Sequence, residues 1–312
     1  MDADPSRQAP HLIETGRIEL RILESASEMA EVEALQRVVW PGNETEVVPV
    51  HLLVTAAHNG GLVMGAYDGD RLVGFVFGFP GLHEMDGEKR IKHCSHMLGV
   101  HPDYRDRGLG FQLKLAQRQV VRRQGIDLIT WTFDPLLSRN AHLNIAKLGG
   151  VSQTYLRDIY GELPDGINAG LPSDRLRVDW WINSTRVERR LADLERRPVT
   201  LSQYLDAGAP IVNEPEWGAD HLPHPATSLE EALARAEDRP GSCIVTVLVE
   251  IPADFLALKS ASRELAIAWR HHTRQLFEAL FEQDYVVIDF IHQREPLARS
   301  FYVLTRSSAC AI

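Results

Sequence analysis

The sequence predicts a mixed α/β fold, a layered sheet flanked by helices, with a second α/β region after it. Three observations lead there. Apolar runs of period two alternate with runs of period 3.6 along the chain. A tight-turn signal joins two neighbouring strands in "LVMGAYDGDRLVGFVFGFP". A glycine-bearing turn, "RDRGLG", connects a strand to a helix. The 312 residues suffice for one large or two ordinary domains, and a composition 44% hydrophobic and 24% charged supplies core material for them.

The elements follow in order. The first 16 residues are polar and read as a loose tail. "IELRIL" is a short strand. "SASEMAEVEALQRVVW" is a helix: Ser25 and Glu28 form a capping box, and Met29, Val32, Leu35 and Val39 make an apolar stripe. Pro41 and Gly42 stop it. "VPVHLLVTAAHNGG" is a second helix ending at Asn59-Gly60. A hairpin turns at Asp68-Gly69-Asp70, and "GLHEMDGEKR" reads as a polar connection. "HCSHMLGVHP" is a strand ending at Pro102. The helix after the glycine turn runs to about Gln124, with Gly125 as its stop. "IDLITWTF" is a strand, "SRNAHLNIAKLGG" a short helix, and "VSQTYLRDIYG" and "DRLRVDWWI" are strands. The charged run from Glu188 to Arg197, closed by Pro198, marks a domain boundary. Beyond a Pro-rich loop, "NEPEWGADHLPHPATS", lie the strand "CIVTVLVEI", the helix "SRELAIAWRHHTRQLFEALFEQ" and the strands "YVVIDFI" and "SFYVLT".

A net charge of −10 argues against bulk binding to nucleic acid or anionic membranes and suits a cationic partner. Cys94, Cys243 and Cys310 are odd in number and widely spaced, so neither a disulfide framework nor a metal knuckle is expected. The polar N-terminus lacks the apolar core of a secretory signal, and no run of about 18 apolar residues is present. A cytoplasmic protein is expected.

The stretch "HPDYRDRGLGFQLKLAQRQ" carries the chemistry. Gly108 and Gly110 follow a strand and open a helix, where unpaired backbone N–H groups and the positive dipole end face outward. Glycines let an anion approach that backbone. Leu109, Leu113, Ala116 and Val120 form one helix face, while Lys114, Arg118 and Arg122 recur every four residues on another. This local basic excess fits a ligand with several phosphates. The loop is no Walker motif, since no Gly-Lys-Ser/Thr follows, and it lacks the three-glycine dinucleotide fingerprint.

"LGVHPDYRDRGLGFQL" resembles the acyl-CoA-binding motif of the GNAT (N-acetyltransferase) superfamily, Q/R-x-x-G-x-G/A, with Arg105, Gly108 and Gly110 in the defined positions. The element order resembles the GNAT fold over residues 17–183. With the polar tail and the charged run, three parts are expected: a tail at 1–16, a GNAT-like acyl-CoA-binding domain at 17–190 and a C-terminal α/β region at 191–312. That region is either a degenerate GNAT-like half or an unrelated extension. The resemblance further implies that backbone amides of Arg105, Asp106, Arg107, Gly108, Leu109 and Gly110 hold the pyrophosphate of CoA, and that Leu98 and Val100 pair with its pantetheine arm. Ser138 and Asn140, from the segment similar to the family's "N-x-x-A-x-x-x-Y-x-K-x-G-F", complete the cofactor set. In that segment Ser138 replaces the usual asparagine and Ile145 the tyrosine that protonates the departing thiolate; Tyr155 and Tyr160 are other candidates for that acid.

The chemistry implied is attack of a small amine on the thioester of acetyl-CoA or another short acyl-CoA, with no metal. A base must take the amine proton. His96 and Glu44 are the catalytic candidates, with Glu46 and His93 as further possible bases. Strand parity places His96 on the face of Leu98 and Val100, and His93 on the opposite face. The absent tyrosine leaves open a non-catalytic acyl-CoA-binding or sensory module. Trp40 is core or pocket wall, at least one of Trp180 and Trp181 packs inside, and Arg175, Arg177 and "RHHTR" read as surface. The Trp217 to Pro225 loop is long enough for a lid.

Overall fold

The structure, a computed structural model, describes residues 12–15, 18–42, 44–161, 170–192, 198–237 and 246–307. Cys243 and Cys310 lie outside them. The chain divides into two compact units, Met1–Thr130 and Trp131–Ile312. The division falls inside a strand, between Thr130 and Trp131.

In the first unit, β1 (Leu12–Thr15) pairs antiparallel with β2 (Ile18–Ile22), so this part of the expected tail is strand. Helix α1 (Ala26–Val39) starts at the capping box of Ser25 and Glu28, and its stripe Met29, Val32, Leu35 and Val39 is buried. Helix α2 (Val50–His58) follows, then β3 (Leu62–Asp68) and β4 (Arg71–Met85), joined by the expected tight turn. Strand β5 (Glu88–Val100) pairs with β4 along its length. The expected polar connection is therefore the tip of a long hairpin. Its turn is Asp86-Gly87, with φ of 55° and 77°, and this Asp-Gly signal was present in the sequence. Helix α3 (Leu109–Arg123) and the start of β6 (Leu128–Phe133) complete the unit. Strand order is β1-β2-β3-β4-β5. One apolar layer joins the sheet to α1 and α2 through Phe75 and Phe77, with Trp40 edge-on to Phe75; another joins it to α3 through Val76, Leu109 and Leu113.

The second unit holds α4 (Ser138–Ala141), which passes into a π-helical turn, His142–Lys147. Then come β7 (Val151–Leu156), β8 (Arg175–Trp181), α5 (Thr185–Ala192) and α6 (Leu201–Asp206). A small hairpin of β9 (Glu216–Trp217) and β10 (Pro223–His224) occupies the expected lid loop, and α7 (Leu229–Ala236) follows. The chain ends with β11 (Thr246–Ile251), α8 (Phe255–Ala261), α9 (Arg263–Glu282), β12 (Tyr285–Gln293) and β13 (Arg299–Arg306). The strand order β6-β8-β7-β12-β13-β11 contains one pattern twice. A strand leads through helix to a second strand, and the third returns between them: β6, β7, β8 first, then β11, β12, β13.

Two surface readings fail in this unit. Arg270, from "RHHTR", is buried and pairs with Asp134 at 2.7 and 2.5 Å, and Thr273 beside it is buried too. Arg175 is buried, its Nη1 donating to Asp174 O. Trp180 is fully buried and donates to Leu148 O.

Candidate functional site

The turn between β5 and α3 is built by short-range bonds. His101 N–H donates to Val73 O, Tyr104 N–H to His101 O, and Arg105 N–H to Pro102 O. Asp106 and Gly108 then take left-handed backbone conformations, φ 63° and 76°, and the chain enters α3 at Leu109. Gly108 is the N-cap and has no side chain to cap the helix. The helix itself gives its first N–H groups no partner, so those of Leu109, Gly110 and Phe111 face outward. A Cβ added at Gly108 would meet nothing within 4 Å, so the space before these donors is open.

Side chains brace the turn. Arg105 folds back, its Nε donating to Val100 O at 3.3 Å and its Nη2 to Val39 O at 3.4 Å. Tyr104 donates to Asp68 at 2.7 Å, and the Arg107 guanidinium lies 5.1 Å from the Tyr104 ring centroid. Arg105 thus supports the loop with its side chain. Leu109 offers backbone alone, its side chain being buried.

Beside this turn β5 leaves its neighbour. Its parallel pairing with β6 is described only at His93↔Ile129 and Cys94↔Thr130. On the other edge the β4 ladder continues to Gly74↔Val100 but slips by one residue: Gly78 faces Ser95 and Phe77 faces Met97. His96 is the extra residue, a β-bulge. The bulge overturns the parity expectation. Leu98 and Val100 pack in the α3 layer, while the His96 ring packs against Phe77 and Phe79, each at 5.8 Å between centroids. Phe77 belongs to the layer of α1 and α2, so His96 and Leu98 face opposite sides. His93, expected opposite Leu98, instead meets Gln117 of α3.

The His96 residue remains exposed at its rim. Desolvation by its neighbours lowers its pKa below the ordinary histidine value, while Glu46 pulls in the opposite direction. Glu44 is committed elsewhere, ion-paired to Arg37 at 3.0 Å. Both belong to a 3-10 turn, Glu44–Glu46, fixed to α1 by two bonds. Gln36 Nε2 donates to Val48 O, and Val48 N–H donates to Gln36 Oε1. The orientation that brings His96 within the electrostatic influence of Glu46 follows from the bulge, which no local pattern announces.

A buried polar cluster was also illegible from spacing. Lys114, Gln117, Ser95 and His93 are all buried between α3 and β5. The four-residue interval from Lys114 to Arg118 and Arg122 gave it the look of a solvent face, yet Lys114 is 2% exposed.

The remaining candidates belong to the second unit. Ser138 Oγ donates to Pro252 O at 3.2 Å, and Asn140 sits in the short α4. Ile145 is fully buried in the π-helical turn. Tyr155 donates to Asp174 at 2.8 Å; burial, first, and that carboxylate raise its pKa, which makes it a poor acid. Tyr160 shares a bond with Thr132.

A glycine-opened helix start thus lies next to the C-terminal end of β5 in an α/β protein. Residues 27–149 match the acetyltransferase (GNAT) family. No curated protein matches the sequence. Three solved structures are similar to about half of the chain. A GNAT-family protein of Desulfovibrio desulfuricans is 16% identical, with 53% of this chain and 99% of that chain covered at a TM-score of 0.42. The Escherichia coli ribosomal-protein-S18-alanine N-acetyltransferase is 13% identical, covering 54% and 96% at 0.43. Arabidopsis thaliana NAA60, bound to a bisubstrate analogue, is 17% identical, covering 53% and 99% at 0.42. Among the described residues no helix is long and apolar enough to cross a membrane, and no three His, Cys, Asp or Glu side chains converge as metal ligands.

Proposed function

We propose that the protein transfers an acetyl or other short acyl group from acyl-CoA to a small amine by direct attack. The observation that carries this reading is the open space at Gly108, next to a strand that among the described residues pairs with β6 only as far as Cys94. The backbone of Arg105 to Gly110 would hold the pyrophosphate, and the Leu98–Val100 edge would hold the pantetheine arm. His96, turned by the bulge to the opposite face, would take the amine proton, with Glu46 favouring its protonated form. A net charge of −10 suits a cationic acceptor. Cys94 as a free thiol fits a reducing, cytoplasmic setting. The repeated strand pattern of the second unit supports reading its last third as a degenerate GNAT-like half without a cradle.

Calorimetry with CoA and acetyl-CoA tests the cradle. Thiol release from acetyl-CoA, measured with a polyamine, an aminoglycoside, a short primary amine and a peptide, tests transfer. Tight CoA binding with release on one amine class is expected. No CoA binding would refute the reading, and binding with no release on any amine would refute the transferase part of it.

A further inference from the structure

The polar cluster between β5 and α3 is costly where it stands. Lys114 Nζ donates to Ser95 Oγ at 2.7 Å and to Gln117 Oε1 at 3.3 Å. Ser95 Oγ donates to Gln117 Oε1 at 3.0 Å, and Gln117 Nε2 lies 3.1 Å from His93 Nε2. Around them β3 and β4 present Leu62, Met64, Ala66 and Val76, and α3 adds Leu113 and Ala116. A leucine at 114 would fill this core without desolvating a charge. The titratable groups that meet here are Lys114 itself and His93. Burial pushes the Lys114 amine well below its ordinary pKa. Burial first, and Lys114 second, hold His93 neutral with a pKa of about 3. An ammonium with a weakened hold on its proton is a stronger acid than that of an exposed lysine.

The position of the cluster matters as much as its burial. Ser95 is the first residue of β5 past its pairing with β6, and it is next to the bulged His96. Its side chain points to α3, the face that also carries Leu98 and Val100. On the acyl-CoA reading, the sulfur end of the pantetheine arm comes to this point. Because Lys114 bonds both Ser95 Oγ and Gln117 Oε1, the Ser95 hydroxyl proton can turn away from Gln117 without leaving Oε1 unserved.

We propose that Ser95, backed by Lys114, delivers the proton to the thiolate that leaves during acyl transfer, the duty for which Ile145 has no group. This inference rests on the acyl-CoA reading. The amine nitrogen bonds to the thioester carbon, the C–S bond breaks, and its electron pair goes to sulfur. Sulfur takes the Ser95 hydroxyl proton, and Ser95 Oγ takes one from the Lys114 ammonium, which becomes a neutral amine. The proton shed by the attacking amine goes to His96, and Lys114 regains its own from water.

The test follows the ultraviolet absorbance of the CoA thiolate bound to the full chain, titrated with pH, beside free CoA. A sulfur that receives the Ser95 hydrogen bond, with an ammonium behind it, ionises at lower pH than the free thiol. Lys114→Met and Ser95→Ala should each move that ionisation back toward free CoA by about one pH unit. In Lys114→Met the Ser95 hydroxyl keeps Gln117, and in Ser95→Ala the ammonium keeps Gln117. Calorimetry on the same samples checks that CoA is bound. If wild-type protein binds no CoA, the cradle and this inference fall together. If CoA binds and its thiol ionises at the same pH in wild type and both variants, the inference is overturned and the cradle stands.

Discussion

Replacing Gly108 with alanine separates backbone strain from ligand exclusion at the cradle. Gly108 holds φ 76° and ψ 3°, a left-handed conformation that costs an alanine about 1 kcal/mol. Gly87, at the tip of the β4–β5 hairpin, has φ 77° and equally open surroundings, so Gly87→Ala carries the same strain. Only the methyl at position 108 would project into the space before the N-terminus of α3. An anion held off from two of those N–H groups loses charge-assisted bonds worth about 1.5 kcal/mol or more each. About 3 kcal/mol in total corresponds to a roughly 100-fold rise in Kd for CoA. Calorimetry gives the affinities, and urea unfolding gives the stabilities. Both variants should lose about 1 kcal/mol of stability, and Gly108→Ala alone should lose CoA binding. If Gly108→Ala binds CoA within about threefold of Gly87→Ala, the anion does not sit at this helix end.

Three further outcomes are expected. Glu46 favours the imidazolium of His96, so Glu46→Gln should move the acid limb of the kcat/KM–pH profile to lower pH; a limb that stays or rises would break the coupling. His93 is neutral when folded, with a pKa of about 3 against 6.5 for the free side chain. Its contribution to stability is complete above pH 6.5 and is lost as pH falls toward 3. Between pH 7 and pH 5 the wild type should therefore lose about 2 kcal/mol more than His93→Gln in urea unfolding, and equal losses would show that His93 protonates freely in the fold. In the second unit, Arg270→Met leaves Asp134 buried with its charge opposed only by the Leu136 N–H. A loss of about 3–5 kcal/mol is expected, largely recovered in the Arg270→Met/Asp134→Leu double variant. A single variant as stable as wild type would mean the pair contributes nothing.

The second unit also limits how the transferase chemistry is distributed. Its repeated strand pattern occurs without a glycine-opened helix between β11 and α9; α8 starts from the side-chain cap of Asp254 on Ala257 N–H. The Asp254 cap occupies one of the first N–H donors of α8, whereas Gly108 has no side chain to cap any of those of α3. The difference between the two helix starts is why one strand–helix crossing reads as a ligand site and the other as scaffold.

What the sequence determined by itself was whatever depends on residues close together along the chain. The capping box of Ser25 and Glu28, the Asp68-Gly69 turn and the glycine turn into α3 are local, and each stands where its residues place it. The Asp86-Gly87 turn was equally local and was legible, although the polar residues around it read as a connection. The tertiary structure decided which face each β5 residue presents, because a one-residue slip against β4 at His96 reverses the alternation on which parity depends. It also decided the environment of charge. Lys114 and Arg270 have the spacing of exposed helix residues, and only the packing of β5 on α3, and of Asp134 on α9, puts them out of water. Burial is a property of neighbours distant in sequence, so the glycine turn was readable in advance and the burial of Lys114 and the Arg270–Asp134 pair were not.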